Sequence, residues 1–164
     1  MEEYTGRQIA IFADIHGLLE PAVAVLEDIK RRGITEIYSL GDNIGTGPKP
    51  KEVLELLIEH NVHLINGNSE EYAALGIEPF DFYFTERKRR SAAWTLAQLT
   101  EEQIELLKHN KHSFDLYVGN KKIGLCHFAN DVRVDHGDYG VGNYTRAMKN
   151  GFEEPGRQFY RTNS

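Results

Sequence analysis

Residues 9–17 read Ile9-Ala10-Ile11-Phe12-Ala13-Asp14-Ile15-His16-Gly17, a short apolar run that stops at a polar turn. An unbroken apolar run of this length, closed by a turn, marks a buried strand over Ile9 to Ala13. A helical pattern follows, with Val23, Leu26 and Ile29 on one face, Pro21 in its first turn and Gly33 as its stop. The rhythm then repeats. A second strand, Ile37 to Leu40, ends at Gly41-Asp42-Asn43, and the loop Gly45-Thr46-Gly47-Pro48 leads to a helix from about Pro50 to Glu59. A third strand, Val62 to Ile65, ends at Asn66-Gly67-Asn68. This β-α-β-α-β order predicts an α/β domain with a parallel core sheet.

Downstream, Phe80 to Phe84 is aromatic, and the charged run Glu86 to Arg90 opens a helix through Leu99. Thr100 with Gln103 has the form of a capping box, so a further short helix runs to about Lys108. Segment 79–112 is thus a candidate helical cap insertion within a single domain spanning 1–164. Phe114 to Val118 and Lys121 to Phe128 flank Gly119-Asn120, a two-residue hairpin signal. From Asn130 onward Gly, Asp and Asn dominate and no element is predicted.

Composition narrows the class. With 164 residues, 40% hydrophobic and 27% charged, the chain suits one globular domain with a real core. A formal net charge of -6 argues against gripping a nucleic-acid backbone by bulk electrostatics, while leaving room for a small phosphorylated substrate neutralised by bound metal. Cys126 is the only cysteine, which excludes an internal disulfide and fits a reducing cytosol. The acidic start lacks the pattern of a secretory signal, and no stretch approaches a membrane span, so the expected compartment is the cytoplasm.

Four polar clusters sit directly after predicted strands: Asp14-x-His16, Gly41-Asp42-x-x-Gly45, Gly67-Asn68-Ser69-Glu70 and Cys126-His127. The carboxyl ends of parallel strands open onto one shared crevice. The first three clusters recur at intervals close to the ~30 residues of one strand-helix-strand unit, so they should line up along one sheet edge. Two carboxylates, two imidazoles and an amide oxygen make a mixed N/O donor set, suited to Mn²⁺, Zn²⁺ or Fe and poorly suited to Ca²⁺.

In this order the motifs resemble those of the calcineurin-like metallophosphoesterase superfamily, nearest to its small prokaryotic phosphodiesterase-like branch, over roughly residues 8 to 128. The resemblance implies a two-sheet α/β/β/α sandwich holding two divalent metals, most simply Mn²⁺, with Zn²⁺, Fe or Ni²⁺ as alternatives. Carried over by position, Asp14 and His16 would bind the first metal, Asp42 would bridge, and Asn68 and His127 would bind the second. Asn68, Glu70 and His127 are the candidate catalytic residues. The implied activity is hydrolysis of a phosphodiester or phosphomonoester by a two-metal-activated hydroxide, on a phosphorylated small molecule or nucleotide-type substrate.

Two departures qualify the likeness. Ser69 stands where the family commonly has a histidine, and a serine hydroxyl is too weak an acid to protonate a leaving group near neutral pH. A preference for good leaving groups follows. The Gly-His-x-His motif expected near the end is absent between His127 and Ser164, so the domain is read as truncated. These departures motivate a second reading, a catalytically weakened metal- or ligand-binding regulatory module on the same fold. A metal-free nucleotide-binding domain is disfavoured because no Gly-rich phosphate loop follows the first strand.

Blander readings exist for each residue. Asp14, Asp42 and Asn68 taken singly are ordinary turn residues; their ordered recurrence after three strands is what favours a metal site. His60, His63, His109 and His112 read as surface or helix-end residues. Trp94 and Phe80, Phe82, Tyr83 and Phe84 read as core or cap packing, and Arg87 to Arg90 as a solvated helix face. Arg133 and Arg146 are candidate phosphate contacts, and His136 stands alone in a segment that is not strand-like.

Overall fold

The protein was analysed as a computed structural model describing residues 6–80, 84–118 and 120–127. The strands β1 (Ile9–Phe12), β2 (Glu36–Ser39) and β3 (His63–Leu64) form a parallel sheet in the order β1-β2-β3. Helices α1 (Leu19–Arg31) and α2 (Pro50–Glu59) make the two crossovers. The expected third strand is shorter than its apolar run. Ile65 continues it only as an isolated parallel bridge to Lys111.

Side-chain alternation along these strands builds the layers. Ile37 and Leu64 point into a helix-side core with Leu26, Ile29, Val53 and Leu57, whereas Tyr38 and Ile65 point to the opposite face. There they meet Leu116 and Leu125 of an antiparallel pair, β4 (Ser113–Val118) and β5 (Lys121–Cys126). Period-two alternation thus yields helices, parallel sheet and second sheet in succession. The buried strand expected over Ile9 to Ala13 is only half-buried, because β1 is the edge of the sheet and Ile11 is exposed. Each fully buried Leu, Ile or Val contributes about 1.5–3 kcal/mol by leaving water. The register Val118↔Lys121 leaves the two residues expected of a hairpin turn between the strands.

The remaining helices are α3 (Asn68–Leu75), α4 (Glu86–Gln98) and α5 (Glu101–His109). The Thr100–Gln103 capping box forms in both directions, at 3.2 and 3.0 Å. Leu99 and Leu107 enter the main core, and the Gln103 amide donates to the Lys51 carbonyl at 3.1 Å, tying α5 to α2. Helix α3 had no counterpart in the sequence reading, because only the tightly placed Gly67 and Glu70 specify its start. Trp94 corrects the expectation of packing: it is exposed. Phe84 does pack, edge-on against Tyr72 at 4.8 Å. Phe82, Tyr83, Arg133, His136 and Arg146 lie outside the described residues.

Two glycines separate backbone freedom from space. Gly33 ends α1 at φ +69 with open surroundings, whereas at Gly41 (φ +97) a Cβ would overlap the Gly67 backbone. Gly33→Ala should cost about 1 kcal/mol, the left-handed penalty alone. Gly41→Ala should cost about 3–5 kcal/mol. Urea unfolding midpoints measure both, and equal losses would contradict the close approach of the two loops.

Candidate metal centre

The strand ladder does not stop where the strands do. Leu40 N–H donates to Phe12 at 2.8 Å, Asp14 to Gly41 at 3.0 Å, His16 to Asp42 at 2.8 Å and Gly17 to Asn43 at 2.7 Å. The loop after β1 therefore tracks the loop after β2 residue by residue, which brings Asp14 and Asp42 side by side. Asp14, His16 and Asp42 take φ of 60, 51 and 52, three of the four non-glycine residues with left-handed backbone among those described. Such conformations cost about 1–3 kcal/mol each and persist where surrounding structure imposes them. Here they turn three polar side chains toward one point.

Glu70 supplies much of that imposition. It is 1% exposed, and one carboxylate oxygen accepts from the Asp42 and Gly67 amides, both at 2.8 Å. Its other oxygen accepts from Asn43 at 2.7 Å and Ile44 at 3.2 Å. Burial, reinforced by the Asp42 carboxylate, pushes the Glu70 carboxyl above its usual range, and the backbone donors pull it back. Both oxygens are committed to the loops. A Cβ on Gly67 would lie 2.5 Å from the Asp42 nitrogen and 2.6 Å from its Oδ1, so glycine is required where the clamp closes.

Ligand atoms of Asp14, Asp42 and His127 lie within 4.8 Å of one another. His16 joins them, its Nε2 being 3.5 Å from Asp14 Oδ1 and 3.8 Å from Asp42 Oδ2. His127, just beyond β5, has Nδ1 2.8 Å from the Leu40 carbonyl. That contact requires a proton on Nδ1, so the Nε2 lone pair faces Asp42 Oδ1 at 3.7 Å. Asp42 is 5% exposed, and among the described residues no Lys or Arg forms an ion pair with it or with Asp14. A buried carboxylate beside a second one and a correctly oriented imidazole fits a divalent cation.

Asn68 is the first residue of α3, and the next amide, Ser69 N–H, donates to Asp42 Oδ1 at 2.8 Å. His16, Asn68 and Ser69 border a cavity of about 500 Å³ whose far wall is α4. Sequence reading missed that wall. Arg87 and Lys88 of the basic run line it, while Arg90 pairs with Glu86 at 2.8 Å along the helix as a solvated face would. Thr95, also on the wall, donates its hydroxyl to the Gly45 carbonyl. His60 and His109 sit at helix ends, as expected, and His63 stacks on Tyr38 at 4.8 Å.

The fold is a two-sheet α/β domain with an acidic, histidine-bearing cluster at the carboxyl ends of its parallel strands, a candidate site for a divalent cation. Residues 7–157 match the family model of the calcineurin-like phosphoesterases, and the chain belongs to that family. It is 36% identical over 119 residues to the protein MJ0912 of Methanocaldococcus jannaschii, an alignment covering 73% of this chain and 48% of that protein. The chain thus spans about half the length of this curated relative. Among solved structures it resembles a metallophosphoesterase from Sphaerobacter thermophilus (31% identity, TM-score 0.52), covering 65% of this chain and 42% of that one. The protein PH1004 of Pyrococcus horikoshii shares the fold (23% identity, TM-score 0.61), with coverage of 71% and 54%. Among the described residues no helix is long and apolar enough to cross a membrane.

The Glu70 clamp makes a stability prediction. Glu70→Gln keeps the shape but turns an NH₂ group toward two backbone N–H donors. Unfolding free energy should fall by about 2–4 kcal/mol. Urea denaturation reads this directly, and an unchanged midpoint would show that the carboxylate does not hold the loops.

Proposed function

We propose that the protein is a divalent-metal-dependent phosphoesterase acting on a phosphorylated small molecule. The observation that carries this reading is the convergence of Asp14, Asp42 and His127 within 4.8 Å, with His16 beside them. Family membership supports it. Asp14 and His16 would hold a first cation, Asp42 would bridge, and Asn68 and His127 would hold a second. Divalent ions bound there, Mn²⁺ being our first choice, would acidify a water as nucleophile and neutralise charge on the phosphoryl oxygens.

The residues of the chain set the rest. Asp42 is held rigidly through its own backbone amide by Glu70 and through Oδ1 by the Ser69 amide. Glu70 acts in this reading by positioning, since its oxygens already accept four backbone hydrogen bonds. His127 donates Nδ1–H to Leu40, which orients its Nε2 toward Asp42 Oδ1. Ser69 offers no proton of suitable acidity, so esters with good leaving groups should react fastest. The same feature favours the second reading, a regulatory module that binds metal or ligand with little turnover.

Hydrolysis of bis-p-nitrophenyl phosphate with added Mn²⁺ distinguishes the two. Turnover should require the metal, and Asp42→Ala should lower kcat/KM by at least about a hundredfold. A folded, metal-loaded protein without turnover above the Asp42→Ala level would leave the regulatory module standing and remove the enzyme.

A further inference from the structure

The cavity beside the metal centre has a chemical character of its own. One side is formed by His16, Asn68 and Ser69, and the other by one face of α4. Residues 87, 88, 91, 92 and 95 fall on that face by helical spacing. Arg87 and Lys88 line it, and no Asp or Glu does so among the described residues, although the chain carries a net charge of -6. Two cationic side chains thus border the cavity of a chain whose net charge is negative.

Lys88 is also restrained. Its Nζ lies 5.3 Å from the ring centres of both Tyr72 and Phe84, within cation–π range, and those two rings pack against each other. A restrained ammonium loses less conformational entropy when it meets an anion than a free lysine does. Ser69 and Ser91 add hydroxyl groups to the same walls. The volume of about 500 Å³ suits a group up to the size of a small ring bearing a phosphate.

We propose that this cavity receives the leaving-group portion of the substrate and selects leaving groups that carry a second phosphate, with Arg87 and Lys88 as the selecting charges. The inference rests on the hydrolase reading for its chemistry and on the cavity alone for its binding. The first phosphate sits at the metal centre. The second lies across the cavity against α4, outside the reach of Asp14, Asp42 and His127. Arg87 and Lys88 are specificity residues in this arrangement, not catalytic ones.

The test compares phenyl phosphate with hydroquinone bisphosphate, whose leaving phenols differ chiefly in the second phosphate. With Mn²⁺ present, kcat/KM for phosphate release should favour the bisphosphate by about tenfold or more, as expected for a charge-assisted contact. In the double variant Arg87→Gln/Lys88→Gln the preference should collapse. Lys88→Arg, which keeps the charge, should retain most of it. Calorimetric binding of the two compounds to the Mn²⁺-loaded protein gives a readout independent of turnover. If neither ester is hydrolysed but the bisphosphate binds about tenfold more tightly, and only with Arg87 and Lys88 intact, the hydrolase reading fails and the cavity assignment stands. Equal affinities for the two compounds, or a preference that survives in the double variant, would overturn it.

Discussion

A single buried carboxylate organises this structure. Glu70 accepts hydrogen bonds from four backbone amides, three on the loop after β2 and one on the loop after β3. A buried charge is costly unless its hydrogen-bonding capacity is filled, and here the backbone fills it. The donors gain as well, because loop amides taken out of water without partners would carry their own penalty. Two loops that belong to different β-α units thereby become one rigid body. Asp42 sits on that body, and the candidate metal centre inherits its rigidity.

Strain and close packing express the same constraint. Left-handed backbone at Asp14, His16 and Asp42 is tolerated because the ladder of hydrogen bonds between the first two loops leaves those residues no alternative path. Gly41 and Gly67 let the second and third loops approach until no Cβ fits between them. The glycines, the glutamate and the strained residues form a cooperative set, each making the others' geometry attainable. Helix α4 is tied to this set through the Thr95 hydroxyl on the Gly45 carbonyl, so the cavity wall and the metal centre share one frame.

Much of this was legible in the residues. The three apolar runs announced parallel strands, but the burial they implied holds fully only for the central one, where Ile37 beside Tyr38 shows the two covered faces in adjacent residues; on the edge strand β1 Ile11 is exposed. Polar clusters after each strand were legible as a common edge because parallel topology fixes which strand ends lie together. Helix α3 was not legible. Its first turn reads as a Gly-Asn loop, and only the contact of Glu70 with a loop distant in sequence shows why a helix begins there. Trp94 was misread because hydrophobicity predicts burial on average, whereas its position on α4 leaves it in water.

Sequence alone determined the order of the strands and of the helices other than α3, the edge on which the polar residues collect and the donor types available to a cation, since all three follow from local patterning and strand direction. Tertiary structure decided the part each residue takes. Glu70 and His16 both look like site residues in the chain, yet one is spent on backbone amides while the other faces the carboxylates. Arg87 and Arg90 stand three positions apart in one basic run, and only packing against α3 turns the first toward the cavity and leaves the second to Glu86. The physical reason is that hydrogen-bond partners and burial come from residues remote in sequence, and no local pattern encodes which of several polar groups will reach them.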